Sequence, residues 1–389
     1  MSKSSSSLLV LFFVVFTELI GFGLIIPVLP QLAKNFQLNY YSLGILMAAF
    51  SFAQFFAAPI LGHFSDKVGR KPVLILSKLG TMLAYVLLAY ANSYWLFLVA
   101  RLFDGFTGGN IAVARAYICD VTTVKDRAKG MAVIGISFGL GFIVGPAIGG
   151  LLYQEVHGQW LISLVAAGLS GLALLMTIFF LKETEKKVVV EQRLLIKDFF
   201  KLKDPIIIGL CLAYFFYMLI FSGFETTFSM FTDFNFGFSV KQNSFLFMFA
   251  GLIGLVVHGG LARKASSNFG VFTVIGLILL GGGFFGMAMS ITFVALLVWL
   301  AIFSVGISLV NSFMPALVTT YTSSKNRGLV MGVYESIGSL SRILGPMIAY
   351  GVVIDFIRLE YLVFGIIAFV LSVFIFKKCV YRKKSMVLS

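Results

Sequence analysis

Apolar runs of about 20 residues recur almost end to end along this 389-residue chain, and they leave few folds open. At 1.5 Å rise per residue, a helix of ~20 residues crosses the ~30 Å hydrocarbon core of a bilayer with its backbone amides bonded internally. Twelve such runs can be drawn, the first over about 8–32, the fourth over about 94–118 and the last over about 361–376. The first follows a short Ser-rich tail and is too long, and too poor in cleavage signals, for a removable signal peptide. Charged residues make up only 12% of the chain, about half the share usual in soluble domains. The expected fold is an all-α membrane protein with 12 transmembrane helices.

A formal charge of +14 would suggest nucleic acid in a soluble protein, but the placement of the bases argues otherwise. Most Lys and Arg fall in alternate connections: near the N-terminus, over 67–78, 125–129 and 182–203, at Arg263, Lys264, Lys325 and Arg327, and over 377–384. Lys34, Lys241 and Arg358 fall on the other side, and Arg101, Arg115 and Arg342 lie within runs. The positive-inside rule then places both termini in the cytoplasm, and no nucleic-acid partner is expected. The lipid bilayer is the expected surrounding, and the chain is expected to work as a monomer.

Enzyme chemistry finds no foothold. Cys119, Cys211 and Cys379 imply no disulfide framework, and His63, His157 and His258 lack the spacing of a metal site. No nucleophile elbow or phosphate loop stands where structure would support it. Neither a metal nor a cofactor is expected.

The longest polar interruption divides the runs into six and six. The expected domains are an N-terminal six-helix bundle (1–181), a cytoplasmic linker (182–204) that could hold a surface amphipathic helix, and a C-terminal bundle with a basic tail (205–389). A shift of 200 residues aligns "KDRAKGMAVIGISFGLGFIVGPAIGG", from Lys125, with "KNRGLVMGVYESIGSLSRILGPMIAY", from Lys325. Arg127 meets Arg327, and Gly145-Pro146 meets Gly345-Pro346. Two pseudo-symmetric bundles suit a transporter in which one half rocks against the other.

Four motifs now stand in order. "GHFSDKVGRKP" (62–72) resembles the loop between the second and third helices of the major facilitator superfamily, with Gly62, Asp66, Gly69, Arg70 and Lys71 in the matching places. "RLFDGFTGG", from Arg101, is similar to that family's fourth-helix motif, and "GFIVGPAIGG" (141–150) to the fifth-helix signature of its 12-helix drug/proton antiporters. "ELIGFGLIIPVLP", from Glu18, resembles the first helix of the tetracycline/proton antiporters. The second-half copy of the loop, "GLARKASSNFG" (260–270), is degraded, with Lys264 opposite Asp66 and Asn268 opposite Arg70. The resemblance implies the major facilitator fold, alternating access, and proton-coupled export of a small amphiphilic or drug-like compound through the inner membrane, the compound leaving while protons enter. A metabolite or siderophore exporter, a proton-coupled nutrient importer, and a receptor or scaffold on the same fold are the rival readings.

Ionisable residues inside the runs are costly and therefore informative. Glu18 and Asp104 each lie about ten residues into a run, so ~15 Å deep. The resemblance places them on the wall of a central cavity, as proton-coupling residues with Arg101. Arg101 precedes Asp104 by three residues on one helical face, so a fixed ion pair is the competing reading. Further candidates for the substrate cavity are Phe22, Phe215, Phe216, Glu225, Asn311, Phe313, Glu335 and Arg342. Against them stand a solvated rim carboxylate for Glu225, helix pairing for Glu335 and Arg342, and plain packing for the phenylalanines. Gly139, Gly145, Gly149 and Gly150, with Pro146, mark a helix built for close approach, either as a seal and pivot or as ordinary packing. For the 62–72 loop, the resemblance implies a cytoplasmic latch: Asp66 near Leu329 and Arg70 reaching Asp120, against the plainer reading of a topology marker.

Overall fold

The computed structural model describes residues 3–26, 36–122, 127–152, 158–184, 204–264, 268–322, 327–352 and 356–381, and among these the chain is helical with no strand. The helices are α1 (Lys3–Ile25), α2 (Tyr40–Val68), α3 (Arg70–Ala89), α4 (Tyr94–Thr107), α5 (Asn110–Val121), α6 (Arg127–Leu152) and α7 (Gly158–Phe180). They continue with α8 (Pro205–Phe236), α9 (Val240–Lys264), α10 (Phe269–Met289), α11 (Phe293–Thr320), α12 (Arg327–Val352) and α13 (Ile357–Ile375), which runs into a π-helical turn, Phe376–Tyr381. Among the described residues, ten spans are long and apolar enough to cross a membrane. Beside them, α6 holds a shorter apolar stretch, Gly139–Leu152, and α12 mixes its apolar residues with Glu335, Arg342, glycines and serines.

The chain divides into two compact units, Met1–Glu191 with Gly237–Met248, and Gln192–Phe236 with Phe249–Ser389. The start of α9 thus packs with the first unit, which no sequence signal suggests. Most of the expected linker, with its surface helix, lies outside the described residues, as does the side chain of Cys119.

Helix ends follow local chemistry. Asn39 caps α2 by accepting from the Ser42 amide at 2.8 Å, and Ser93 and Thr292 do the same for α4 and α11. Gly69 alone separates α2 from α3, at φ +114°, a conformation that a side chain strains.

The first unit packs Val10, Leu11 and Val14 of α1 against Val73 and Leu74 of α3 and Val113, Ala114 and Tyr117 of α5. The second has an aromatic core in which Phe224 meets Phe303 at 4.2 Å, and Phe231 stacks on Tyr361 at 4.4 Å. The faces left exposed are largely apolar, as on α3 with Leu76, Leu83 and Leu87, while its covered face carries Ser77, Lys78, Thr81 and Tyr85. Polar groups inward and apolar groups outward suit a solvent of lipid.

The 200-residue repeat is carried into three dimensions. Helices α6 and α12 are both 26 residues long and start at Arg127 and Arg327. A Cβ on Gly145 would stand 2.8 Å from the Ile20 carbonyl and 3.0 Å from Gly23 of α1. One on Gly345 would stand 2.9 Å from the Leu219 carbonyl and 3.1 Å from Gly223 of α8. The same contact between glycine-lined helices occurs once in each unit.

Candidate functional site

The fourth run is not one helix. It breaks at Gly108 and Gly109, where α4 ends and α5 begins, and the carbonyls freed there find partners from other helices. The Ser77 hydroxyl donates to the Thr107 carbonyl, and the Gln54 side-chain amide donates to the Gly108 carbonyl at 3.0 Å. Glycine is needed beside the break because a Cβ on Gly105 would collide with the Phe50 backbone.

Glu18 lies against this break. A Cβ on Gly108 would sit 2.6 Å from Glu18 Oε1, and the Asn110 amide, at the first position of α5, donates to Oε2 at 3.0 Å. The positive N-terminal end of α5 favours an acid there. Oε2 also receives Lys78 Nζ at 2.6 Å, and Nζ lies 3.3 Å from the Thr17 hydroxyl. Lys78 is 0% exposed and Glu18 3%. This corrects one expectation: Lys78 is no connection residue but a fully buried base within α3. Glu18, with no opposite charge nearby along the chain, has one in space.

Arg101 and Asp104 complete the group, with Nη1 donating to Oδ2 at 3.2 Å and both side chains buried. Glu18, Lys78 and Arg101 all act electrostatically on Asp104, and the Tyr85 hydroxyl donates a hydrogen bond to the same carboxylate. The Arg101 guanidinium lies over the Phe50 ring at 4.7 Å and near the Phe22 ring at 5.9 Å, and Tyr85 packs its hydroxyl against Gly21. Two acids and two bases thus meet inside one unit, yet five polar atoms have no bonding partner among the described residues: Glu18 Oε1, Asp104 Oδ1, Asn110 Oδ1, and Nε and Nη2 of Arg101. Such a set can shift charge by re-pairing, because Asp104 has in Lys78 a second base acting on it beside Arg101.

Sequence reasoning brought forward Glu18, Asp104, Arg101 and Phe22, and missed Lys78, Asn110 and the break. The doublet Gly108-Gly109 inside an apolar run was the available signal for the break. For Lys78, the polar residues Ser77 and Lys78, four and three positions before Thr81 and so on one helix face, were the hint.

The other candidates are dispersed. Around the 62–72 loop, buried Arg70 joins Asp66 at 2.6 Å, the Ser65 hydroxyl at 2.6 Å and Asp120 at 3.0 Å. Glu183, assigned to the linker by sequence, caps α3 instead, accepting from the amides of Arg70 at 2.8 Å and Lys71 at 3.1 Å. Lys71 Nζ donates to the Ile178 carbonyl at 2.7 Å, and a Cβ on Gly62 would meet open space. The side chain of Leu329 lies outside the described residues, as does that of Glu335.

On the α6 face, Gly141, Gly145 and Gly149 form the stripe against α1, whereas Gly150 turns to Ser244 of α9. Pro146 meets Gly23, and Gly139 is half-buried. In the second unit, Phe313 is core, stacked on Phe272 at 4.9 Å. Asn311 accepts from the Tyr217 hydroxyl at 2.8 Å, and Phe215 and Phe216 meet edge to face. Glu225 is buried, with Oε1 lacking a bonding partner and Arg342 as its electrostatic neighbour.

A family model described as "Major Facilitator Superfamily" matches residues 11–346 and again 271–385. The chain belongs to the major facilitator superfamily. It is a multi-pass membrane transporter, not an enzyme, and its fold is that family's. It is 29% identical to mouse major facilitator superfamily domain-containing protein 10, over 89% of this chain and 86% of that one. The class B tetracycline resistance protein of Escherichia coli is 31% identical, over 85% and 84%. Among solved structures, the human organic anion transporter MFSD10 matches with a TM-score of 0.75 and 26% identity, over 96% of this chain and 100% of that one. The facilitator's buried tetrad, Glu18, Lys78, Arg101 and Asp104, lies wholly inside its first unit.

Proposed function

We propose that this facilitator exports small amphiphilic compounds by alternating access, exchanging them for protons across the inner membrane, with both termini in the cytoplasm. Glu18 takes up and releases the proton, and Asp104 with Arg101 follows its charge. The supporting observation is the buried tetrad of two acids and two bases at the Gly108-Gly109 break, where each acid keeps one oxygen without a partner among the described residues. Interrupted helices in transporters line binding sites, and at this one the Asn110 side chain, on the first residue of α5, donates to Glu18. The tetracycline resistance proteins and the organic anion transporter among the relatives support an amphiphilic substrate.

In this reading a proton on Glu18 releases Lys78, which changes the charge facing Asp104 and so links proton uptake to substrate exchange. The 62–72 loop acts as the part that locks and releases. The test is flux in proteoliposomes under an imposed pH gradient. Glu18→Gln alone leaves Lys78 buried without a counter-charge, so Glu18→Gln is made together with Lys78→Met. The double variant is expected to fold and insert and to lose gradient-driven accumulation. Accumulation equal to the parent's would refute the assignment.

A further inference from the structure

Arg101 spends one nitrogen, Nη1, on Asp104, and leaves the Nε and Nη2 edge without a partner although the residue is 1% exposed. That edge presents two parallel N–H groups, the arrangement that matches the two oxygens of a carboxylate. Buried donors left unmade are expensive, and native structures rarely keep them without a purpose. Close by are acceptors in the same condition, Glu18 Oε1 and Asp104 Oδ1. The groups pack closely around Gly108, where an added Cβ would stand 2.6 Å from Glu18 Oε1, 2.9 Å from the Asp104 carbonyl and 3.4 Å from the Phe50 ring, and that ring lies under the Arg101 guanidinium.

With all four groups ionised the tetrad carries no formal net charge, so a ligand bearing a lone charge would unbalance it, whereas one bearing both charges would not. We propose that the site takes a zwitterionic head group, with its carboxylate on the Nε and Nη2 edge of Arg101, its protonated amine between Glu18 Oε1 and Asp104 Oδ1, and its apolar body against Phe22 and Phe50. The inference rests on the reading of this tetrad as the place where substrate binds, and it names the substrate's chemical class.

The test uses the full-length protein in detergent at neutral pH and three probes with one aromatic body: 3-(2-naphthyl)alanine, its N-acetyl derivative and its carboxamide. The zwitterion is expected to raise the thermal midpoint with a Kd about tenfold or more tighter than either blocked analogue, as fits the loss of a charged hydrogen-bonded contact. Arg101→Lys keeps the charge but loses the fork, and is expected to weaken the zwitterion and the N-acetyl acid while leaving the carboxamide unchanged. The comparison of probes on the parent protein stands even if that variant fails to fold. Equal binding of the zwitterion and either analogue, or binding of none of the three, overturns the proposal. Proton-driven flux of other solutes with no preference for the zwitterion removes this site alone. Zwitterion binding without proton-driven flux removes the transport cycle and leaves the site.

Discussion

Glu18 and Lys78 are the residues whose removal should be felt most. Each is buried, and a buried ion deprived of its partner costs about 3 to 5 kcal/mol, whereas replacing both by uncharged groups of similar size is often close to neutral. Lys78→Met and Glu18→Gln should therefore each lower the unfolding free energy by several kcal/mol, while the double variant recovers most of the loss. Chemical unfolding of the four proteins measures the coupling, and strictly additive losses would show that the pair does not interact. The candidates differ in what residue-level reasoning could see. Arg101 and Asp104 lie three apart on one helix, so their 3.2 Å contact follows from helical spacing. Lys78 lies 60 positions from Glu18, and no local rule joins them.

At the scale of elements, two glycine positions decide whether helices can meet. Gly69 turns α2 into α3 at φ +114°, and a Cβ there would stand 2.6 Å from the Glu183 carboxylate that caps α3. Gly69→Ala should cost at least about 1 to 2 kcal/mol from the backbone alone and loosen that cap, lowering the thermal midpoint. Glu183→Gln, which keeps an acceptor but removes the charge, should cost less. Gly145 sits where α6 touches α1, 2.8 Å from the Ile20 carbonyl, two residues beyond Glu18. Gly145→Leu must part the two helices, so transport should slow while membrane insertion and yield hold; unchanged flux would reduce the stripe to inert packing. The repeat announced that α6 and α12 are equivalent, but it did not reveal that the glycines at 141, 145 and 149 line the contact with α1. A helix face is set by its neighbour, not by the motif's outline.

For the whole molecule, the expected orientation follows from charge. With most bases on one side, a C-terminal fluorescent reporter should light in the cytoplasm, and alkaline phosphatase at the same place should stay inactive. The opposite pattern would invert the topology. Hydropathy, basic clusters and a 200-residue repeat are written along the chain because the bilayer demands ~20 apolar residues per crossing and sorts bases to one face. Those demands act on each segment separately, so the sequence by itself determined the helical membrane fold, the twofold organisation, the family motifs and the acids worth attention. The tertiary structure alone decided which charges meet. It paired Lys78 with Glu18, broke the fourth run at Gly108-Gly109 and satisfied the freed carbonyls from Ser77 and Gln54, and brought Glu183 to cap α3. The physical reason is that a buried charge or carbonyl is satisfied by whatever lies within about 3 Å of it, and that distance is set by how helices pack rather than by how residues follow one another.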